Sequence, residues 1–211
     1  MFKDFLSALT LEMLRSLQKG TEFKGPAVFR DYLASASEDQ LLSDLRLAFQ
    51  VINGTELSAL NLKGSSLFKA AVKFFVDDFA SKLDHLGSNF YLLPYEERKK
   101  QLEQLVHGDA HLATALRELL VTNSYQEITE ALEMLAKATA DSATIVVQAP
   151  RDIAAELKKE MRAKFAEEYP YSFPSFQINR QLIGGFRVFI NGKSHDLSWF
   201  SQVQKLTSLK S

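Results

Sequence analysis

Few residues have the types and spacing that chemistry requires. His107 and His111, in "HGDAH", stand four apart, the spacing at which one helix face presents two imidazoles to a zinc ion. A helical metalloprotease pair needs Glu at the second position, where this chain has Gly108, and Gly108-Asp109 reads as a helix break that separates the two rings. "LIGGF", 182–186, has adjacent glycines but neither the spaced glycines of a dinucleotide loop nor a Gly-Lys-Ser/Thr ending. It leads into a strand, so no helix N-terminus follows to hold an anion, and it reads as a bend where bare backbone lets another element approach. "ELKKEMRAK", 156–164, carries Lys158, Lys159, Arg162 and Lys164, interrupted by Glu156 and Glu160, and reads as a solvated helix face. Asp77-Asp78 and Glu96-Glu97 read as a polar helix face and a first-turn dipole complement. No Ser or Thr is evidently activated. The sequence therefore assigns no catalytic residue, no cofactor-binding residue and no metal ligand, and the expectation is a protein that is not an enzyme.

The elements that position these residues fall into two parts. The chain has 211 residues, 46% apolar and 24% charged, with net charge −1 and no Cys. That composition carries a real core, removes disulfides and thiol chemistry, and shows no global basic field for nucleic acid. Charge is uneven: residues 1–143 hold 15 Lys and Arg against 20 Asp and Glu, and residues 144–211 hold 10 against 6. No apolar run approaches the roughly 18–20 residues that span a bilayer, and the first residues, with Asp4 and Glu12, make a poor targeting peptide.

Apolar residues at helical period predict helices over 2–18, from Pro26 to about Ala36, and from a Ser37/Gln40 capping box to Ile52, with Asn53-Gly54 as a C-cap. A wide stripe from Leu67 to Leu86 predicts one helix over 66–86. Pro94 opens a helix to about His107, Asp109 can cap the next, to Val121, and Ser124 with Glu127 caps another, to Ala140. The pattern then changes. "ATIVVQAP" reads as a strand, 151–169 as a helix with Ile153, Leu157, Met161 and Phe165 at strict four-residue spacing, and "SFQINR" and "GFRVFI" as strands. Asn191-Gly192 reads as a type I′ hairpin turn before a further strand, and Ser198 caps a last helix with Trp199, Phe200, Val203 and Leu206. The fold class is α+β and predominantly helical: an all-α bundle over 1–140, then a small β-α-β-β-α domain over 143–211.

The tail, "INRQLIGGFRVFINGKSHDLSWFSQVQKL" preceded by "ATIVVQAP" and a charged helix, resembles the C-terminal domain of the ATP synthase delta subunit, the bacterial counterpart of the oligomycin-sensitivity-conferring protein. Asn179, Leu182, Ile183, Gly184, Gly185, Asn191, Gly192, Asp196 and Ser198 fall on that family's pattern. Asn179 stands where the family usually has Asp, and Leu197 where it usually has Gly. The first part shares only helical architecture with the family's N-terminal six-helix bundle, and it is longer at its start. The resemblance implies a non-catalytic stator subunit on the cytoplasmic face of the bacterial membrane. Its bundle would bind alpha subunits of the catalytic head, and its C-terminal domain would hold the b-subunit stalk. Trp199, Phe200, Val203 and Leu206 are the candidate docking residues. The competing reading is a helical adaptor or RNA-associated module unrelated to ATP synthase.

Overall fold

The computed structural model describes residues 2–108, 110–199 and 201, and of Ser88 the backbone alone. The chain divides into two compact units, one running through Asp141 and the other starting at Ser142. It is mostly helical, with a four-stranded sheet in the second unit.

The first unit contains α1 (Phe2–Lys19), α2 (Ala27–Ser35), α3 (Glu38–Ile52), α4 (Ser66–Phe74), α5 (Ala80–Phe90), α6 (Tyr95–Leu105), α7 (His111–Thr122) and α8 (Tyr125–Thr139). α1 is central to this core, since Phe5, Leu6, Leu9 and Met13 are almost fully buried. Several ends form as their residues dictate. The Ser37 hydroxyl accepts from the Gln40 amide, and Ser124 and Glu127 complete a reciprocal capping box. After α3, Gly54 takes φ 102 while the Gly54 and Thr55 amides return to Val51 and Gln50, the Schellman closure.

Two expectations for this unit change. The helix over 66–86 is not uniform. A π turn over Phe75–Phe79 separates α4 from α5, and Gly87 (φ 66, ψ 173) kinks α5 before it ends at Phe90. The π turn inserts one residue into the helical period. Phe74, Phe75 and Phe79 are all buried there, leaving Asp77 and Asp78 outside. At the start of α7 the N-cap residue is Ala110, and Asp109 lies outside the described residues. A distant residue reaches this end: Glu12 Oε1 on α1 accepts the Leu112 amide at 2.9 Å. One fully buried carboxylate, Asp44, joins three helices. Its Oδ2 accepts from Tyr32 Oη on α2 at 2.9 Å and from the Leu67 amide at the start of α4 at 3.1 Å. Burial, then Asp44 itself, raises the Tyr32 pKa.

The second unit runs β1 (Ile145–Ala149), α9 (Ala155–Glu168), β2 (Ser175–Ile178), β3 (Gly185–Ile190) and β4 (Lys193–Ser198), in sheet order β2-β1-β3-β4. β1 and β2 are parallel, so a crossover is required between them and α9 supplies it. β3 pairs antiparallel with β1 and with β4. Alternate β1 residues Ile145, Val147 and Ala149 are buried, with Val188 and Phe176 opposite Val147 on either side. Met161, Phe165 and Tyr169 pack against that face.

The α9 expectation needs correction. The helix starts at Ala155, Leu157 is exposed, and Lys158 and Arg162 are 4% and 6% exposed. The charge run is therefore only partly a solvated face. Lys158 pairs with Asp152 at 3.0 Å. Arg162 Nη1 donates to the Pro174 carbonyl at 2.7 Å, and its guanidinium lies 4.5 Å from the Phe173 ring centre and 4.9 Å from that of Phe176. A flat delocalised cation with a long aliphatic stem covers those rings where a small core lacks apolar volume.

Candidate docking surface

The hairpin that carries the candidate residues is built from its turn outward. Asn191 and Gly192 have φ 49 and φ 79, as a type I′ turn requires. Asn191 also ties the turn to Thr144, just before β1. Its amide donates to Thr144 O at 2.9 Å and its side-chain Oδ1 accepts from the Thr144 amide at 3.0 Å. Asn179, after β2, accepts the Gln181 amide on Oδ1 at 3.1 Å, a turn that Asp could also make. Its Nδ2 donates to Gln148 Oε1 at 2.9 Å, a bond that an ionised Asp could not provide.

At the other end of the hairpin the two glycines lie under β4. A side chain on Gly185, which has φ 75, would place its Cβ 2.5 Å from the Leu197 carbonyl oxygen and 2.9 Å from Ser198 Cα. A Cβ on Gly184 would lie 2.7 Å from Cδ2 and Cε3 of Trp199. "LIGGF" is thus a bend that bare backbone makes possible, with the hairpin's last residues lying on it. Asp196 Oδ2 accepts from Arg187 Nη2 at 2.9 Å, and its Oδ1 accepts from the Ser198 amide at 2.9 Å. The Ser198 hydroxyl and amide, then Arg187, draw the Asp196 pKa down to about 2. Ser198 Oγ accepts the Ser201 amide at 3.3 Å, the geometry of a helix cap.

Trp199 is 64% exposed and so does not close the small core. Ile183 beside the glycines is 77% exposed, and Leu197, across from Phe186, is exposed as well. Large apolar side chains concentrated at one end of a sheet suit contact with another apolar surface more than with water. Phe200, Val203 and Leu206 lie outside the described residues. In the first unit, His107 lies in the link after α6 and exposed His111 opens α7, so no one helix carries both. Among the described residues no group of His, Asp or Glu is arranged to hold a metal ion. No described helix is long and apolar enough to cross a membrane.

The sequence reading missed Lys158 and Arg162 as buried cations, Lys158 paired with exposed Asp152. The available signal was the four-residue spacing of Lys158 and Arg162 opposite the aromatic pair in "SFPSF". It also missed Asp44 and Glu12, whose partners are far along the chain and leave no local pattern.

A family model described as ATP synthase delta (OSCP) subunit matches residues 92–209, more than half of the chain, from before α6 through the sheet. No curated protein matches the chain.

Proposed function

Since the chain belongs to the ATP synthase delta (OSCP) subunit family, we propose that it is a non-catalytic peripheral-stalk subunit, a stator that links the catalytic head to the b-subunit stalk. In this role the first unit binds alpha subunits and the second unit grips the b subunit, so that the head does not turn with the rotor. The protein works at the cytoplasmic face of the bacterial membrane, held there by the complex.

The observation that carries this reading is the span of the family match, which takes in α6, α7, α8 and the whole sheet in one stretch. Two further features support it. A stator transmits torque through surface area and stiffness, and the hairpin end offers exposed Ile183, Leu197 and Trp199 on a hydrogen-bonded frame. An amphipathic helix from the stalk would present the apolar positions such a surface takes, and Trp is frequent among the residues that dominate binding energy.

The test is isolation of the ATP synthase from native membranes under mild detergent. Alpha and b subunits should co-purify with this chain in fixed proportion. A complex that contains alpha and b but lacks this chain would sink the reading.

A further inference from the structure

The contacts at the hairpin end run in series from a strand to an exposed ring. Asp196 bonds Arg187 across the β3–β4 pair and bonds the Ser198 amide two residues ahead. Ser198 is buried, and its hydroxyl oxygen accepts the Ser201 amide. Between them, the Trp199 amide donates to the Gly184 carbonyl at 3.1 Å, and the indole lies against Gly184. The Trp199 backbone is therefore fixed on both sides while most of its ring faces water. An exposed indole has little hydrophobic reason to hold one orientation, so the polar frame around it must supply the order.

We propose that Asp196 is a positioning residue: by holding Ser198 it fixes the Trp199 backbone at the Gly184–Gly185 bend and presents the indole in one orientation to the stalk helix. A contact residue ordered before binding loses less conformational freedom on binding. The last step, presentation to the stalk, rests on the docking reading above; the positioning itself does not.

The experiment uses the full chain with Asp196→Ala and Asp196→Asn, read by NMR. In the unaltered protein the indole should shift one Gly184 α-proton upfield, and the Trp199 amide should exchange slowly. Asp196→Ala should lose both signals while the Val147 and Val188 amides keep their protection. Asp196→Asn retains an acceptor for the Ser198 amide but not the ion pair, so both signals should shrink without vanishing. If Asp196→Ala unfolds the sheet, the Asn variant decides on the same two signals. Unchanged signals in the variant that decides overturn the proposal. A synthetic peptide covering the last residues of the stalk's b chain then provides the binding arm. Its affinity should fall about tenfold in Asp196→Ala. Equal affinity in a variant that has lost both signals overturns the presentation step. Absence of binding to the unaltered protein sinks the docking reading instead, and the two NMR signals still decide the positioning.

Discussion

In the first unit, aromatic rings close the core. Phe5 and Phe75 lie 4.8 Å apart between ring centres, Phe75 and Phe79 5.2 Å, and Phe5 and Phe74 5.8 Å. In the second unit the sheet's apolar face is finished by Arg162 and Lys158 lying over Phe173 and Phe176. A sheet of four short strands with α9 across it offers less apolar volume than a helical bundle, and small units bury a smaller fraction of their surface. Long cationic side chains make up the difference, because their stems are apolar and their heads can reach backbone oxygens at the margin. The first unit depends on shape, and the second on a few polar contacts with defined geometry.

The largest expected effect comes from emptying the ring cluster. Phe75→Ala removes a nearly fully buried ring that touches Phe2, Phe5, Phe74 and Phe79. It should cost about 3–5 kcal/mol. Circular dichroism should show helix melting at lower denaturant, while the fluorescence of the single Trp, in the second unit, keeps its midpoint. Both midpoints falling together would mean that the two units unfold as one.

Next is the cation over the rings. Arg162→Ala removes the bond to Pro174 O and uncovers Phe173 and Phe176, which should cost the second unit about 3 kcal/mol. Arg162→Lys should recover less than half of this, because an ammonium cannot stack flat and donate sideways at once. A Lys variant as stable as the original would show that charge alone matters, and the contrast between the units would weaken. Trp fluorescence during urea unfolding measures both.

These two regions also differ in how far the sequence exposes them. The helices of the first unit are legible because apolar period and local caps act over a few residues, as Ser37 and Ser124 show. The interruption at Phe75–Phe79 is not, since an inserted residue in an apolar-rich helix leaves the stripe almost unchanged. The hairpin is legible because Asn191-Gly192 has few alternatives between two strands. α9 departs from its pattern because residue type does not fix environment: Leu157 faces out, and Lys158 and Arg162 face in toward rings contributed by 173 and 176. The glycines read as a bend, but what lies on them, the Leu197 carbonyl and the Trp199 ring, depends on a pairing that only the folded hairpin creates.

Gly185→Ala meets both a positive φ and the Leu197 carbonyl, and should destabilise the second unit by about 2 kcal/mol. Gly192→Val has open space around it and meets only the strain at φ 79, so it should cost about 1 kcal/mol. Thermal melting followed at Trp199 should rank them in that order. The reverse order would mean that strand contact at the bend is less rigid than the turn.

The smallest effect separates the units by pH. Asp196 has a folded pKa of about 2, drawn down by the Ser198 hydroxyl and amide and then by Arg187. An unfolded Asp titrates near about 3.9. A depressed pKa contributes stability that is fully present above the unfolded value and is lost as pH falls through the folded one. The melting difference between the unaltered protein and Asp196→Asn should therefore be constant from neutral pH down to about 5, and should shrink between about 4 and 2. The first unit has a titration of opposite sense. Tyr32 is raised by burial and by Asp44, so its contribution is complete below the unfolded Tyr value of about 10 and declines only as pH rises past it. Comparison of Tyr32→Phe with the unaltered protein should show a difference that changes as pH rises past about 10. A difference for Tyr32→Phe that stays flat in alkali, or one for Asp196→Asn that stays flat in acid, would show that the hydroxyl–carboxylate pair or the hairpin ion pair does not hold in solution as it does in the fold.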